Sequence, residues 1–179
     1  GFSRTKVNCV LMGGVNDVDV PRLAELARAE PIDVRFIELM PIGFGTTLAG
    51  LSEAETLSLL VRAYPDLAAT GERRGNGPAS YYQSRYLQGR IGFIAANTHA
   101  FCASCYRLRL TSTGFLKPCL CYDDGVDLRP LVRSSQGEDA ICQALQHAIA
   151  QAVHEKPAKH CFGEQDHISE HKTMNQIGG

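Results

Sequence analysis

Lys6-Val7-Asn8-Cys9-Val10-Leu11-Met12 and Val34-Arg35-Phe36-Ile37-Glu38-Leu39-Met40 are two apolar-rich runs, each of strand length. Gly13-Gly14-Val15-Asn16-Asp17 breaks the first, and Pro41 with Gly43 closes the second. Between them, Asp17 or Asp19 can cap a helix that carries Pro21 in its first turn, where a missing N–H costs nothing. Leu23, Leu26 and Ala27 give that helix an apolar face, and Pro31 ends it. Strand, helix, strand at this spacing is a βαβ unit, with parallel strands and a right-handed crossover. Few polar residues interrupt either strand, which suits a sheet covered on both faces. Two strands cannot complete such a sheet. Either later segments supply more, or this is the end of a larger α/β domain.

Outward from that unit, a Gly/Thr-rich connector (43–50) leads to Ser52, with Glu55 three positions on: a capping box. Leu57, Leu60, Val61 and Tyr64 follow with helical spacing. Residues 70–80 read as a polar, glycine-rich loop. A hairpin-like pattern then runs through Tyr81–Gln83, Arg90–Ile94 and Leu108–Thr111. Ser112-Thr113-Gly114 is a turn, and Leu116–Cys121 a return strand weakened by Pro118. A last helix over 138–154 sets Ile141, Leu145, Ala148, Ile149 and Val153 on one side, before Pro157.

The chain has 179 residues, enough for one compact domain or two small lobes. No stretch approaches the roughly 20 apolar residues that span a bilayer. Gly1-Phe2-Ser3-Arg4-Thr5 lacks the apolar core of a signal peptide, so the expectation is a cytoplasmic protein without a membrane partner. A net charge of −1 offers no basic field for nucleic acid, and an anion would need a local group of cations. Seven cysteines, odd in number and unevenly spaced, favour metal binding over a disulfide scaffold.

Cys102-x2-Cys105 puts two thiols on one tight turn, and the hairpin returns Cys119 towards them. Three thiolates can hold a [4Fe–4S] cluster with one iron unligated, or a metal with an open position. With Cys121 added, the four sulfurs could instead form a closed zinc staple in a non-catalytic binding module, since i and i+2 share a strand face. Free buried thiols are the third reading, and an iron–sulfur electron carrier a further one. Arg107 and Arg109 should point the same way on a strand, with Leu108 and Leu110 opposite. Two guanidiniums beside a metal suit a polyphosphate or carboxylate.

Phe101-Cys102-Ala103-Ser104-Cys105-Tyr106-Arg107-Leu108-Arg109-Leu110-Thr111, then Gly114 and Pro118-Cys119-Leu120, resembles the C-terminal cluster segment of the GTP 3′,8-cyclases. These are radical S-adenosylmethionine (SAM) lyases that open molybdenum cofactor biosynthesis. Lys6-Val7-Asn8, Gly14–Asp17, Arg35–Pro41, Gly92–Ile94, Asp127–Arg129, Lys156-Pro157 with His160, and Gly178-Gly179 also look like family positions.

The resemblance implies an α/β fold. Residues 1–45 would be the last two strands of an incomplete (β/α)6 barrel, and 46–179 a C-terminal α+β region binding a [4Fe–4S] cluster and GTP. Cys102, Cys105 and Cys119 would ligate that cluster, whose open iron meets the guanine. Arg107, Leu108, Arg109 and Lys6 would contact GTP, Met40 would touch SAM, and Gly178 and Gly179 would reach into the catalytic site. It also implies a homodimer as one state of the intact enzyme, and a product handed to cyclic pyranopterin monophosphate synthase. Tyr106 stands where the family usually has Asn, and Cys121 where Phe is common. The family's Cys-x3-Cys-x-x-Cys loop, which binds the SAM-cleaving second cluster, is absent from this chain. The expectation is therefore a C-terminal fragment or truncated homologue, inactive alone. His99 and His160 are read as structural.

Overall fold

The structure, a computed structural model, describes residues 5–177, the Gln165 side chain excepted. These form two compact units. The first runs to Met40 and resumes over Thr47–Phe101; the second comprises Pro41–Thr46 and the chain from Cys102 onward. The sequence placed its boundary at 45–46. The chain instead returns to the first sheet after residue 47, because a later strand pairs with one of the first two.

In the first unit, β1 (Thr5–Leu11) and β2 (Ile32–Glu38) flank α1 (Val20–Ala29) and run parallel, in register from Thr5 against Ile32 to Leu11 against Glu38. After α2 (Glu53–Leu60) come β3 (Ala68–Thr70), β4 (Ser80–Gln83) and β5 (Ile91–Ile94). The sheet order is β1-β2-β5-β4-β3, with β5 parallel to β2, and β4 and β3 antiparallel. Later strands thus complete the sheet, and it is mixed. Every residue of β5 is buried, whereas β1 at the edge buries only Leu11 fully. Cover on both faces therefore holds at the centre and fails at the edge. Gly92 has a packing reason to be glycine: a Cβ there would lie 2.9 Å from Arg35 Cγ and 3.0 Å from the Tyr81 ring.

The α1 face differs from the expected one. Val20, Ala24 and Ala27 are buried, and Leu26 is 40% exposed, because the i, i+4, i+7 stripe facing β2 begins at Val20. Asp19 is the N-cap, yet its backbone is helical and its side chain makes no capping bond. The α2 capping box forms as read: Ser52 N donates to Glu55 Oε2 at 2.8 Å, and Glu55 N to Ser52 Oγ at 3.3 Å. α2 ends at Leu60, so Val61 is exposed, and Tyr64 returns to the core with its hydroxyl on Glu25. The buried Glu38 carboxylate accepts from Asn97 N, Thr98 N, Thr98 Oγ1 and Glu53 N. That binds the chain after β5 to the end of β2.

The second unit holds β6 (Arg109–Leu110), β7 (Phe115–Lys117) and β8 (Val126–Asp127), antiparallel in that order. α3 (Arg129–Val132) and α4 (Glu138–His154) follow. Gly114, at φ +80°, makes the β6–β7 turn that a side chain would strain. Leu116, Leu128 and Ala152 form the core, joined by Leu108, Leu145 and Ala148. α4 spans the predicted residues, but Ile149 and Val153 are exposed; the packed stripe runs through Leu145, Ala148 and Ala152. β7 stops at Lys117, where Pro118 can no longer donate to the ladder. Cys119 and Cys121 therefore lie beyond the strand, not on it.

Lys117 is 0% exposed and Glu170 4%, and they form a buried ion pair. Lys117 Nζ also donates to Tyr122 O at 2.6 Å, and Glu170 Oε1 accepts from Lys172 N at 2.8 Å. This pair ties the 170–172 segment to β7. Among the described residues no helix is long and apolar enough to cross a membrane. Glu170→Gln, which strands the buried ammonium, is predicted to cost about 3–5 kcal/mol in chemical denaturation. The double change Lys117→Met with Glu170→Leu should cost clearly less than that single change.

Candidate functional site

Cys102–Ser104 form a single 3-10 turn, closed where Cys105 N donates to Cys102 O at 3.0 Å. Cys102, Cys105 and Cys119 are all free, half-buried thiols. Lys156, just past α4, joins the two segments that carry them. Its Nζ donates to Arg107 O at 2.8 Å and also to Pro118 O, one residue before Cys119. His160 N donates to Cys102 Sγ at 3.3 Å. The chain after α4 thus touches each side of the cysteine hairpin.

The groups sense one another electrically. Burial pushes the Cys119 thiol up and Cys102 adds to this, while the Cys121 and Leu120 amides and the Lys156 ammonium pull it back. Burial holds Arg109 below the usual guanidinium range and Arg107 lowers it further, opposed by Cys105 and Cys119. Two guanidiniums, one ammonium and three thiols therefore share one neighbourhood.

Among the described residues no three His, Cys, Asp or Glu side chains converge tightly enough for a single ion. Three thiolates are nonetheless the donor chemistry that an iron–sulfur cluster takes. Cys121 is engaged by Cys161. It is fully buried, its Sγ accepts from Cys161 N at 3.1 Å, and burial with the Cys161 side chain pushes its thiol up to about 12. The i, i+2 argument for Cys119 and Cys121 needed a strand, and β7 ends too early to supply one.

Arg107 precedes β6 and is exposed, while Arg109 is half-buried. Leu108 packs on the core as expected, but Leu110 is 59% exposed, because β6 is two residues long and edges its sheet. Lys6 and Met40 belong to the first unit. Lys6 Nζ donates to Arg74 O and lies 6.0 Å from the centre of the Tyr81 ring. Met40 is half-buried, two residues past β2. His99 bonds Glu53 Oε2 at 3.3 Å beside a cavity of about 220 Å³ lined also by Phe93 and Phe101. Gly178 and Gly179 lie outside the described residues. Sequence reading had assigned no role to Lys156; only its place beside Pro157 and His160 in the resemblance marked it.

Fold and site define an α/β protein with two half-buried thiols, Cys105 and Cys119, within electrostatic reach of Arg109. The profile described as Molybdenum Cofactor Synthesis C matches residues 32–162, and the chain belongs to that family. It is 36% identical over 176 residues to the GTP 3′,8-cyclase of Clostridium perfringens strain SM101, covering 98% of this chain and 53% of that protein. It is 38% identical over 182 residues to GTP 3′,8-cyclase 1 of Pseudomonas aeruginosa, and 37% over 183 to the Marinobacter nauticus GTP 3′,8-cyclase, covering 100% of this chain and 54% of each. The chain spans about half the length of these curated relatives and matches their C-terminal half.

Lys156→Met removes the cation that joins the Arg107 and Pro118 carbonyls. The prediction is metal binding weakened about 10–100-fold, read by chelator competition on anaerobic protein.

Proposed function

We propose that this chain is the cluster- and nucleotide-binding part of a GTP 3′,8-cyclase acting in molybdenum cofactor biosynthesis. Cys102, Cys105 and Cys119 hold a [4Fe–4S] cluster whose fourth iron stays free of protein ligands. When bound, that iron supplies a Lewis-acidic position for a ring nitrogen or oxygen of the base. Arg107 and Arg109 bind the phosphates, Leu108 backs them on the core, and Lys6 contacts the nucleotide from β1. Met40 touches SAM, and Gly178-Gly179 enter the catalytic site. The first unit's parallel strands β1 and β2 are the last two of an incomplete (β/α)6 barrel. In the intact enzyme these residues bind and orient GTP, and orientation converts binding energy into rate.

One observation carries this reading: Arg109 lies within electrostatic reach of Arg107, Cys105 and Cys119 at once. The Lys6 ammonium is held by the Arg74 carbonyl, so nucleotide must compete with the 71–78 loop for it.

Adding GTP to the anaerobically reconstituted, reduced chain should change the cluster's EPR spectrum, and ¹⁵N-labelled guanine should introduce a nitrogen coupling. An unaltered spectrum at saturating GTP contradicts the proposal. Arg107→Ala and Arg109→Ala should each weaken GTP binding by about 10–100-fold, the loss of one charge-assisted contact. The chain contains no Cys-x3-Cys-x-x-Cys, so SAM with dithionite should yield no 5′-deoxyadenosine. Its appearance would defeat the expectation that this chain is inactive alone.

A further inference from the structure

His160 was read from the sequence as structural, and its backbone fits that. Its ring does not. The imidazole stacks on Phe162, with centroids 4.4 Å apart and planes 26° from parallel. Its Nδ1 accepts the Phe162 N–H at 3.2 Å. The lone pair of Nδ1 is therefore engaged, and a neutral ring must carry its proton on Nε2. Nε2 is buried, and no hydrogen-bond partner for it occurs among the described residues. The same residue gives its backbone N–H to Cys102 Sγ at 3.3 Å. Three contacts thus fix the residue, and the ring's second nitrogen is a buried donor without an acceptor among the described residues, on a residue bonded to Cys102 Sγ. Buried donors are paired in folded proteins, so the acceptor is expected from outside the described residues.

We infer that His160 is a positioning residue for the bound cluster, donating from Nε2–H to a sulfur that arrives with it. This rests on the cluster reading proposed above. Iron–sulfur sulfurs are hydrogen-bond acceptors, and N–H donors to them stabilise the more negative, reduced state. Lys156 already anchors the same segment on Arg107 O and Pro118 O, so the donor arrives on backbone fixed from both sides. Of the three thiols, the segment bonds Cys102 Sγ directly and reaches the neighbours of Cys105 and Cys119 through the Arg107 and Pro118 carbonyls.

The test compares the reconstituted chain with His160→Gln, His160→Asn and His160→Leu, reading iron and sulfide content, cluster midpoint potential and Fe–S stretching frequencies. Gln extends its amide N–H to about the reach of Nε2; Asn and Leu do not. At equal cluster content, the inference expects a lower potential and shifted Fe–S stretches in His160→Asn and His160→Leu, and a potential near that of the unchanged chain in His160→Gln. Should the leucine variant fail to fold or load, the Asn–Gln comparison decides. Equal potentials for the unchanged chain and His160→Asn overturn the inference while leaving the cluster reading intact. If the unchanged chain takes up no iron and sulfide, the cluster reading itself fails, and this inference with it.

Discussion

One ammonium, that of Lys156, holds the chemistry of the second unit in place by bonding the carbonyls of Arg107 and Pro118. The two thiols on the 3-10 turn and the thiol beyond β7 come from segments that no strand joins at those residues. β6 and β7 pair only over Arg109–Lys117 and Leu110–Leu116. A two-pair ladder fixes a direction but not the loops beyond it. The cation does the rest, and its charge also moderates the cost of placing Cys119 in a half-buried setting. Burying an ammonium against carbonyls is unfavourable unless each donor is satisfied, so the contact persists where the surrounding backbone enforces it. Here α4 enforces it by delivering Lys156 two residues past its end.

The same logic extends down the chain. His160 bonds Cys102 Sγ through its backbone, Cys161 bonds Cys121 Sγ through its own, and Glu170 seals Lys117 under β7. Residues 156–172 act as a strap over the cysteine hairpin. The strap separates the cysteines by role. Cys105 and Cys119 stay half-open near Arg109, while Cys121 is sealed against Cys161. The extra thiol at 121 is thereby buried against Cys161, although only two positions separate it from Cys119 in sequence.

Much of this was legible in the residues because the signals were local. The βαβ unit showed in two apolar runs and one proline-initiated helix, the α2 box in Ser52 and Glu55, and α4 in its spacing. What escaped was non-local or slight. β3 is Ala-Ala-Thr, too weak in β propensity to stand out from its loop. The parallel pairing of β5 with β2 lies some 57 positions apart, from Val34 against Ile91, and no short-range pattern encodes it. The expected alternation of Arg107, Leu108, Arg109 and Leu110 assumed a longer strand. Pro118 and the early end of β7 cut it to two residues. Lys156 looked like any exposed lysine after a helix, because the carbonyls it serves are contributed by distant loops.

The account stands on three thiols opening to a sulfide-containing iron centre, with the fourth sulfur engaged elsewhere. The most direct measurement is the metal and acid-labile sulfide content of protein isolated without oxygen, with sulfur coordination read by X-ray absorption at the metal edge. The account predicts iron and sulfide in equal amounts, cluster-type iron–iron scattering, and the same content after Cys121→Ala. Zinc bound by four protein sulfurs, without sulfide and lost on Cys121→Ala, would contradict it.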